Sequence, residues 1–174
     1  MARDGDGLEV LRRARDSFVR GSLWHDRLSR ALSDQSVGIH LGVFVEPYLE
    51  AILDGRKTIE SRFGRNRNAP FARVSPGDVI LLKRSGGPVV GVAMAGRTDY
   101  YLLVSATLSD LRRRFASRLF AEDDDFWSAR ADKRFATLIE IGDRIGITTL
   151  PVDKRDRRGW LTYRGRQLCL SLAA

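Results

Sequence analysis

The chain has 174 residues, which is enough for one domain with a buried core. Its hydrophobic fraction of 43% excludes a disordered chain, and no apolar run approaches the roughly 20 residues of a membrane-spanning helix. The charged first ten residues lack the apolar segment of a signal peptide, and the single cysteine, Cys169, excludes an internal disulfide. We therefore expect a cytoplasmic protein with no membrane partner.

The sequence is strongly basic, with a net charge of +8 and a pI of about 10.3. Arginine supplies 26 of the 30 basic residues, and residues 1–36 hold seven arginines against six acidic residues. The positive excess therefore belongs to residues 37–174. Such a domain favours a polyanionic partner, because basic side chains that neutralise phosphates release counterions. A GC-rich coding sequence would also raise the arginine content, so a compositional origin stays open.

An amphipathic pattern predicts two helices within residues 5–34, with a break at Gly21 and an N-cap at Ser22. Apolar residues recur at three- and four-residue steps on both sides of the break. We assign residues 1–36 to a helical extension. Packing against the following domain and binding of a protein partner are both compatible with this pattern.

Residues 37–174 are predicted to form a sheet domain. Alternating apolar residues indicate a strand over residues 37–45, followed by a short helix that starts near Pro47 and ends at Gly55. The same alternation, flanked by turn residues, predicts further strands over residues 79–83, 89–94, 135–141, 144–149, 159–163 and 167–172.

Two more helices are predicted between these strands. One covers residues 108–119 with a capping box of Thr107 and Asp110, and the other covers residues 124–131 with an acidic first turn. Many short strands with a few inserted helices indicate an α+β fold built on a small barrel.

One segment carries a family resemblance. Gly55-Arg56-Lys57-Thr58-Ile59-Glu60-Ser61-Arg62 follows the short helix and precedes an arginine-rich loop and the turn Pro76-Gly77-Asp78. This order resembles the ASCH family, the activating signal co-integrator homology domains of the PUA-like superfamily, over residues 37–150. The resemblance implies a PUA-like small mixed β-barrel of about five or six strands with inserted short helices. It also implies a cleft lined by the segment.

The alternation of side chains in a strand predicts how this segment is oriented. Lys57, Ile59 and Ser61 are expected on one face, with Ile59 in the core, and Thr58, Glu60 and Arg62 on the other. In the cleft that the resemblance implies, the basic side chains would contact phosphate while Glu60 and Thr58 face a base. The alternative is a solvated hairpin in which Glu60 pairs with a neighbouring arginine.

These observations predict a nucleic-acid-binding module with a basic cleft. Single-stranded RNA is the preferred ligand, because small barrels bind unstacked bases, and a nucleotide-like small molecule is the other option. The predicted contacts come from the segment, the loop after it and a basic stretch before a tryptophan: Arg56, Lys57, Arg62, Arg65, Arg67, Arg158 and Trp160. Trp160 is equally suited to stacking on a base and to packing in the core.

A hydrolase is the rival function, either a ribonuclease or an amidohydrolase of a modified nucleoside. Small ASCH proteins that deacylate cytidine resemble the chain here, and they use a lysine, a threonine three residues later and a distant glutamate. Lys57 matches the lysine, but Glu60 stands at the threonine position, and Glu122 is the nearest candidate for the glutamate. The candidate catalytic residues are therefore Lys57, Glu60 and Thr58, and whether the chain is an enzyme stays open.

Other motifs have a structural alternative. Four arginines share one predicted helix, where they would bind a nucleic-acid phosphate backbone or form a solvated face: Arg112, Arg113, Arg114 and Arg118. Trp127 would belong to the core or to an aromatic cage. His25 and His40 lack metal-ligand spacing and are expected to be structural, so we predict no metal site and no cofactor.

Overall fold

The computed structural model describes residues 4–152 and 157–165. Over these residues the chain forms five helices: α1 Asp4–Asp16, α2 Leu23–Ser33, α3 Tyr48–Asp54, α4 Ser105–Phe115 and α5 Asp124–Ser128. They accompany six strands: β1 Ile39–Phe44, β2 Ile59–Gly64, β3 Val79–Arg84, β4 Val89–Leu102, β5 Phe135–Leu150 and β6 Trp160–Arg164. In the described part of the chain, no helix combines the length and apolar character needed to cross a bilayer.

All six strands belong to one curled sheet with the order β2-β5-β4-β3-β1-β6. β1 and β3 pair in parallel, and the other neighbours are antiparallel. The predicted α+β fold on a small mixed barrel is confirmed. In this order β2 and β6 are the two edges of a half-barrel, so the GRKTIESR segment lies at an open edge.

The two longest strands differ from the prediction. Residues 135–141 and 144–149 belong to one strand, β5, and β4 continues past residue 94 to Leu102. The register between β4 and β5 shifts near Ala95, where Gly142 passes opposite Met94. These irregularities bend the two strands together, so a glycine that resembles a turn in the sequence lies inside a continuous strand.

The two predicted N-terminal helices are present, and they pack on the sheet. Ser22 caps α2 by accepting a hydrogen bond from the backbone N–H of His25 at 3.4 Å. Apolar residues of both helices, including Leu11 and Leu28, share a core with Ile39 and Leu41 of β1. The helices therefore cover the outer face of the parallel pair.

The shorter helices agree in place with the prediction and differ in their caps. Gly55 ends α3 in the left-handed conformation, as expected (φ 92°). The predicted capping box at Thr107 is wrong, because α4 begins after Val104 with no side-chain cap and the carboxylate of Asp110 pairs with two arginines of its own helix. At α5 the acidic cap is present, since Asp123 accepts from the N–H of Asp125.

Part of the predicted C-terminal pattern falls on residues that the structure does not describe. The closing strand over residues 167–172, with Cys169, and residues 154–156 of the basic stretch lie outside the described ranges. The predicted strand over residues 159–163 is β6.

A buried aspartate fixes the parallel pair. Asp78, just before β3, accepts hydrogen bonds from the backbone N–H groups of Gly38 at 2.7 Å and Ser75 at 2.8 Å. Its carboxylate also accepts from Nε2 of His40 at 3.0 Å. Nδ1 of His40 is then the acceptor for the hydroxyl of Thr162 on β6, an assignment that follows from the network. His40 is thus structural, and Gly38 has no room for a Cβ against the carboxylate.

Replacing Asp78 by alanine is expected to lower the free energy of unfolding by about 2–4 kcal/mol, because three buried donors lose their acceptor. Denaturant unfolding monitored by tryptophan fluorescence measures the change. The matched control is Asp143→Ala, which removes an exposed carboxylate paired with Arg27 and should cost less than about 1 kcal/mol. Equal losses in both variants would contradict this role of Asp78.

Candidate functional site

The centre of the candidate site is a carboxylate held between two cations. Oε2 of Glu60 lies 3.4 Å from Nζ of Lys57, and Oε1 lies 2.7 Å from Nε of Arg62. Lys57 is 2% exposed and Glu60 5%. Burial of an isolated charge is strongly unfavourable, so these groups are stable only because each one faces an opposite charge or a hydrogen-bond acceptor.

Lys57 is held from three sides. Its ammonium donates to the backbone carbonyls of Ile59 at 2.7 Å and Leu119 at 2.9 Å, and it faces Glu60. Burial lowers the pKa of the Lys57 ammonium below its ordinary value, and the Glu60 carboxylate opposes that shift. Two hydrogen bonds and one ion pair therefore hold the ammonium within the chain.

Arg62 connects the two sides of the open half-barrel. Its guanidinium donates to the carbonyl of Val43 on β1 at 2.9 Å and to that of Gly159, just before β6, at 3.1 Å. It also lies over the rings of Phe44 at 5.0 Å and Trp160 at 5.2 Å. A side chain of edge strand β2 thus reaches the backbone of the opposite edge, which a lysine could not do with the same planar fork of donors.

Beside this triad lies a cavity of about 480 Å³. Strands β1 and β2 form one side, and α3 and α5 with the residues that follow α5 form the other. Four aromatic rings contribute to its walls: Phe44, Tyr48, Phe63 and Phe126. Glu60 and Arg62 form the polar part of the wall, with the Ser61 hydroxyl and the cationic side chains of Arg130 and Lys133 also in the lining.

Several polar groups in this cavity lack a hydrogen-bond or ion-pair partner in the described part of the chain. The hydroxyls of Tyr48 and Ser61 make no hydrogen bond to any described residue. Arg130 donates to the carbonyl of Phe126 at 2.5 Å and lies 3.4 Å above the Phe126 ring, yet no described carboxylate pairs with it. Burial lowers the pKa of the Arg130 guanidinium, which remains charged at neutral pH.

The fold and the site can be compared with those of known proteins. No protein-family model matches the sequence, and no curated protein matches it. Among solved structures, the crystal structure of ASCH from Zymomonas mobilis is 18% identical, covers 69% of this chain and 76% of that chain, and has a TM-score of 0.54. The chain has an ASCH-type fold. Two single-substitution variants of the same Zymomonas mobilis protein match with TM-scores of 0.53 and 0.52, at 17% and 18% identity. They cover 66% of this chain in both cases, and 74% and 76% of those chains.

Within the ASCH-type fold, the predicted segment lies at the cavity, with corrections to the orientation of Lys57, Thr58 and Ser61. Glu60 and Arg62 share a face and Ile59 is in the core, as alternation predicts. Lys57 was predicted on the opposite face, and this is wrong. Lys57 precedes β2, which starts at Ile59, so strand alternation does not apply to it and its side chain joins Glu60.

Thr58 is directed away from the cavity. Its hydroxyl accepts a hydrogen bond from Nε of Arg118 at 3.2 Å, and Arg118 also pairs with Glu140. Thr58 is therefore not brought together with Lys57 and Glu60. Glu122, the candidate for a distant glutamate, is exposed and outside the cavity lining.

The predicted basic contacts separate into three groups. Arg56 is exposed and pairs with Asp54, and Arg65 pairs with Asp132. Arg67 lies over two aromatic rings and has no carboxylate partner among the described residues. Arg158 is exposed.

Trp160 packs in the core and is not placed to stack on a base, the two alternatives that its sequence context left open. It is 2% exposed and packs with Phe44 and Ile80, so neither face of the indole is available to a base. Its Nε1 lies 3.4 Å from Nδ1 of His40. Trp127 is likewise in the core, with Nε1 donating to the carbonyl of Ala121 at 2.8 Å.

The arginines of the α4 region form ion pairs on the surface. Their partners are Asp124 for Arg112, Asp110 for both Arg113 and Arg114, and Glu140 for Arg118. This arrangement supports the solvated-face alternative. Across residues 4–152 and 157–165, no three His, Cys, Asp or Glu side chains are placed together as metal ligands.

Sequence analysis missed the residues opposite the segment. In the sequence, Tyr48 has the position of a core residue in its helix pattern. Phe126 lies in α5 and Arg130 just after it, where the acidic N-cap is the feature that the sequence makes prominent. The aromatic run that ends in Trp127 carries a signal, but the adjacent Phe126 reaches the cavity instead. A tertiary approach of α3 and α5 creates this wall, and no local pattern encodes that approach.

Substituting Glu60 by glutamine should reduce the free energy of unfolding by about 3 kcal/mol, because Lys57 and Arg62 lose a shared buried counter-charge. Chemical denaturation at neutral pH provides the measurement. Glu140→Gln serves as control, since Glu140 on neighbouring strand β5 pairs with Arg118 at the surface and should contribute less than about 1 kcal/mol. A Glu60→Gln protein as stable as the control would show that the triad does not stabilise this edge.

Proposed function

We propose that the cavity binds one unpaired nucleotide of a single-stranded nucleic acid, with RNA as the preferred ligand. The observation that carries the proposal is the combination found in one cavity: aromatic walls, a buried carboxylate with spare acceptor capacity, and cations at the rim. The ASCH-type fold is consistent with this, because small barrels of this kind suit single-stranded ligands whose bases are unstacked.

The size and walls of the cavity suit a nucleobase. Its volume of about 480 Å³ falls within the range of roughly 300–1,000 Å³ typical of small-molecule sites. Tyr48, Phe63 and Phe126 present ring surface to the space. Aromatic side chains of this type stack on bases without strong sequence preference. A base in a duplex would not reach these rings, so the ligand must be single-stranded or have its base flipped out.

Glu60 supplies directional recognition. An ionised carboxylate offers about four acceptor sites, of which the interactions with Lys57 and Arg62 occupy one on each oxygen. The remaining sites accept hydrogen bonds but cannot donate them. The preferred base therefore presents an N–H donor, such as an exocyclic amino group, towards Glu60.

Phosphate contact is assigned to the rim. Arg130 and Lys133 line the cavity, and Arg67 lies in the adjoining loop without a carboxylate partner among the described residues. Lys57 and Arg62 receive a different role from the one that the sequence predicts. They donate hydrogen bonds to backbone carbonyls and form ion pairs with Glu60, so they hold the carboxylate in place instead of contacting phosphate.

The hydrolase alternative rests on Lys57 and Glu60, which do lie in contact at the cavity wall. The Lys57 ammonium donates to two backbone carbonyls and faces a carboxylate, and a protonated amine has no lone pair for nucleophilic attack. Thr58 is turned towards Arg118. Binding without turnover is therefore the function that this geometry favours.

The test is fluorescence anisotropy of a labelled single-stranded RNA of about ten nucleotides, measured over a salt series. Arg130→Gln should weaken binding roughly 5- to 10-fold and reduce the slope of log affinity against log salt by about 1, because one phosphate contact is lost. The matched control is Arg12→Gln on α1, outside the cavity lining, which should leave both quantities unchanged.

Two outcomes would contradict the proposal. Absence of wild-type binding at low salt would show that the basic charge is compositional, and equal effects of the two substitutions would show that binding is not centred on the cavity. Gel analysis of the probe after each titration distinguishes binding from cleavage. Cleavage of the probe by the wild-type protein, with the probe left intact by Glu60→Gln, would support the hydrolase instead.

A further inference from the structure

A second, smaller pocket adjoins the cavity. It has a volume of about 140 Å³ and lies between β2, β5 and the loop that follows β2. Arg62 and Phe63 line both spaces, so they form the partition between them. The loop contributes Asn66 and Asn68, which are the only two asparagines in the chain.

Three polar side chains of this pocket, those of Thr137, Asn66 and Asn68, make no hydrogen bond to any described residue. Thr137 on β5 is 1% exposed, lies in the pocket wall, and its hydroxyl makes no hydrogen bond to any described residue. It is the register partner of Arg62, so both side chains lie on the same face of the sheet. The side-chain amides of Asn66 and Asn68 also have no partner in the described part of the chain. A hydroxyl that lines a pocket and has no partner in the described part of the chain is available to hydrogen-bond a ligand.

The size of the pocket limits what it accepts. A volume of about 140 Å³ is well below the roughly 300 Å³ at which independent small-molecule sites begin. It therefore suits one moiety of a ligand whose remaining part lies in the larger cavity. Hydroxyl and amide groups both donate and accept hydrogen bonds, so they match a moiety that carries hydroxyl groups.

We propose that this pocket is a sugar subsite, which takes the ribose of the nucleotide next to the one in the cavity, with the Thr137 hydroxyl on its 2′-hydroxyl group. The inference rests on the proposed function and adds a source of selectivity for RNA over DNA. The 2′-hydroxyl is both a donor and an acceptor, and it is the group by which a protein distinguishes the two polymers.

Arg67 supports the assignment from the mouth of the pocket. Its guanidinium lies 5.2 Å from the ring centroid of Phe135 and 5.9 Å from that of Phe71, both of which line the pocket. It has no carboxylate partner among the described residues, so its charge is available to the phosphate that links the two nucleotides. Base, ribose and phosphate thus each have a defined position along β2.

The experiment compares a labelled ribo-oligonucleotide with the deoxyribo-oligonucleotide of the same sequence. Both probes contain uracil, so they differ only in the 2′-hydroxyl groups. The wild-type protein should bind the RNA about tenfold more tightly, since a site that hydrogen-bonds a hydroxyl discriminates against the ligand that lacks it. Thr137→Val keeps the shape of the side chain and removes the hydroxyl. It should weaken RNA binding to the level of DNA binding and leave the DNA affinity unchanged.

Thr149→Val on the exposed end of the same strand is the matched control and should preserve the RNA preference. Asn68→Ala, an exposed position, provides a second variant in case Thr137→Val fails to fold, and it should also reduce the preference. Equal wild-type binding of RNA and DNA would overturn the sugar subsite while leaving the proposed function intact. A preference that survives both substitutions would overturn it as well. Failure to bind either polymer would instead refute the proposed function itself.

Discussion

The Glu60 carboxylate, held between the Lys57 ammonium and the Arg62 guanidinium, is the interaction on which the site depends. Arg62 extends from edge strand β2 to the carbonyls of Val43 and Gly159, so the same charge pair that fixes Glu60 also connects the open edges of the half-barrel. The carboxylate therefore has a fixed position in the cavity wall only while the edges are joined. Loss of the Glu60 charge would leave both cations without their shared counter-charge in a buried place.

Stability alone does not explain such a triad. Buried ion pairs contribute little to stability compared with well-packed apolar residues of similar volume, because desolvation offsets the Coulomb attraction. The burial that lowers the pKa of Lys57 is a sign of that unfavourable desolvation. What the arrangement provides is a preorganised acceptor facing a cavity with aromatic walls. This is the feature that distinguishes a recognition site from a structural ion pair.

The fold was largely predictable because its local patterns agree with its tertiary structure. Ser22 marks the start of α2 through its side-chain cap, and Gly55 marks the end of α3 through its left-handed conformation. The apolar residues of β1 fit a strand that is buried along nearly all of its length. The failures occur where tertiary geometry overrides local pattern. Gly142 lies within β5 because the strand bends opposite a bulge in β4, and Thr107 does not cap because α4 starts earlier.

The site was predictable on one side only. The segment from Lys57 to Arg62 was found through its resemblance to ASCH proteins. Its two cations were predicted to contact phosphate, but both donate to backbone carbonyls inside the protein. The facing wall, with Tyr48, Phe126 and Arg130, depends on how α3 and α5 approach the sheet. That approach is a long-range contact with no periodicity in the sequence, so residue patterns could not reveal it.

The most direct measurement is an NMR titration of the isotopically labelled protein with a short single-stranded RNA, which reports the contact surface residue by residue. The account predicts that the largest amide shifts fall on residues 60–68 and 126–133, around the two pockets, with little change on α4. Shifts centred on the paired arginines Arg113 and Arg114, or no saturable shifts at all, would contradict it.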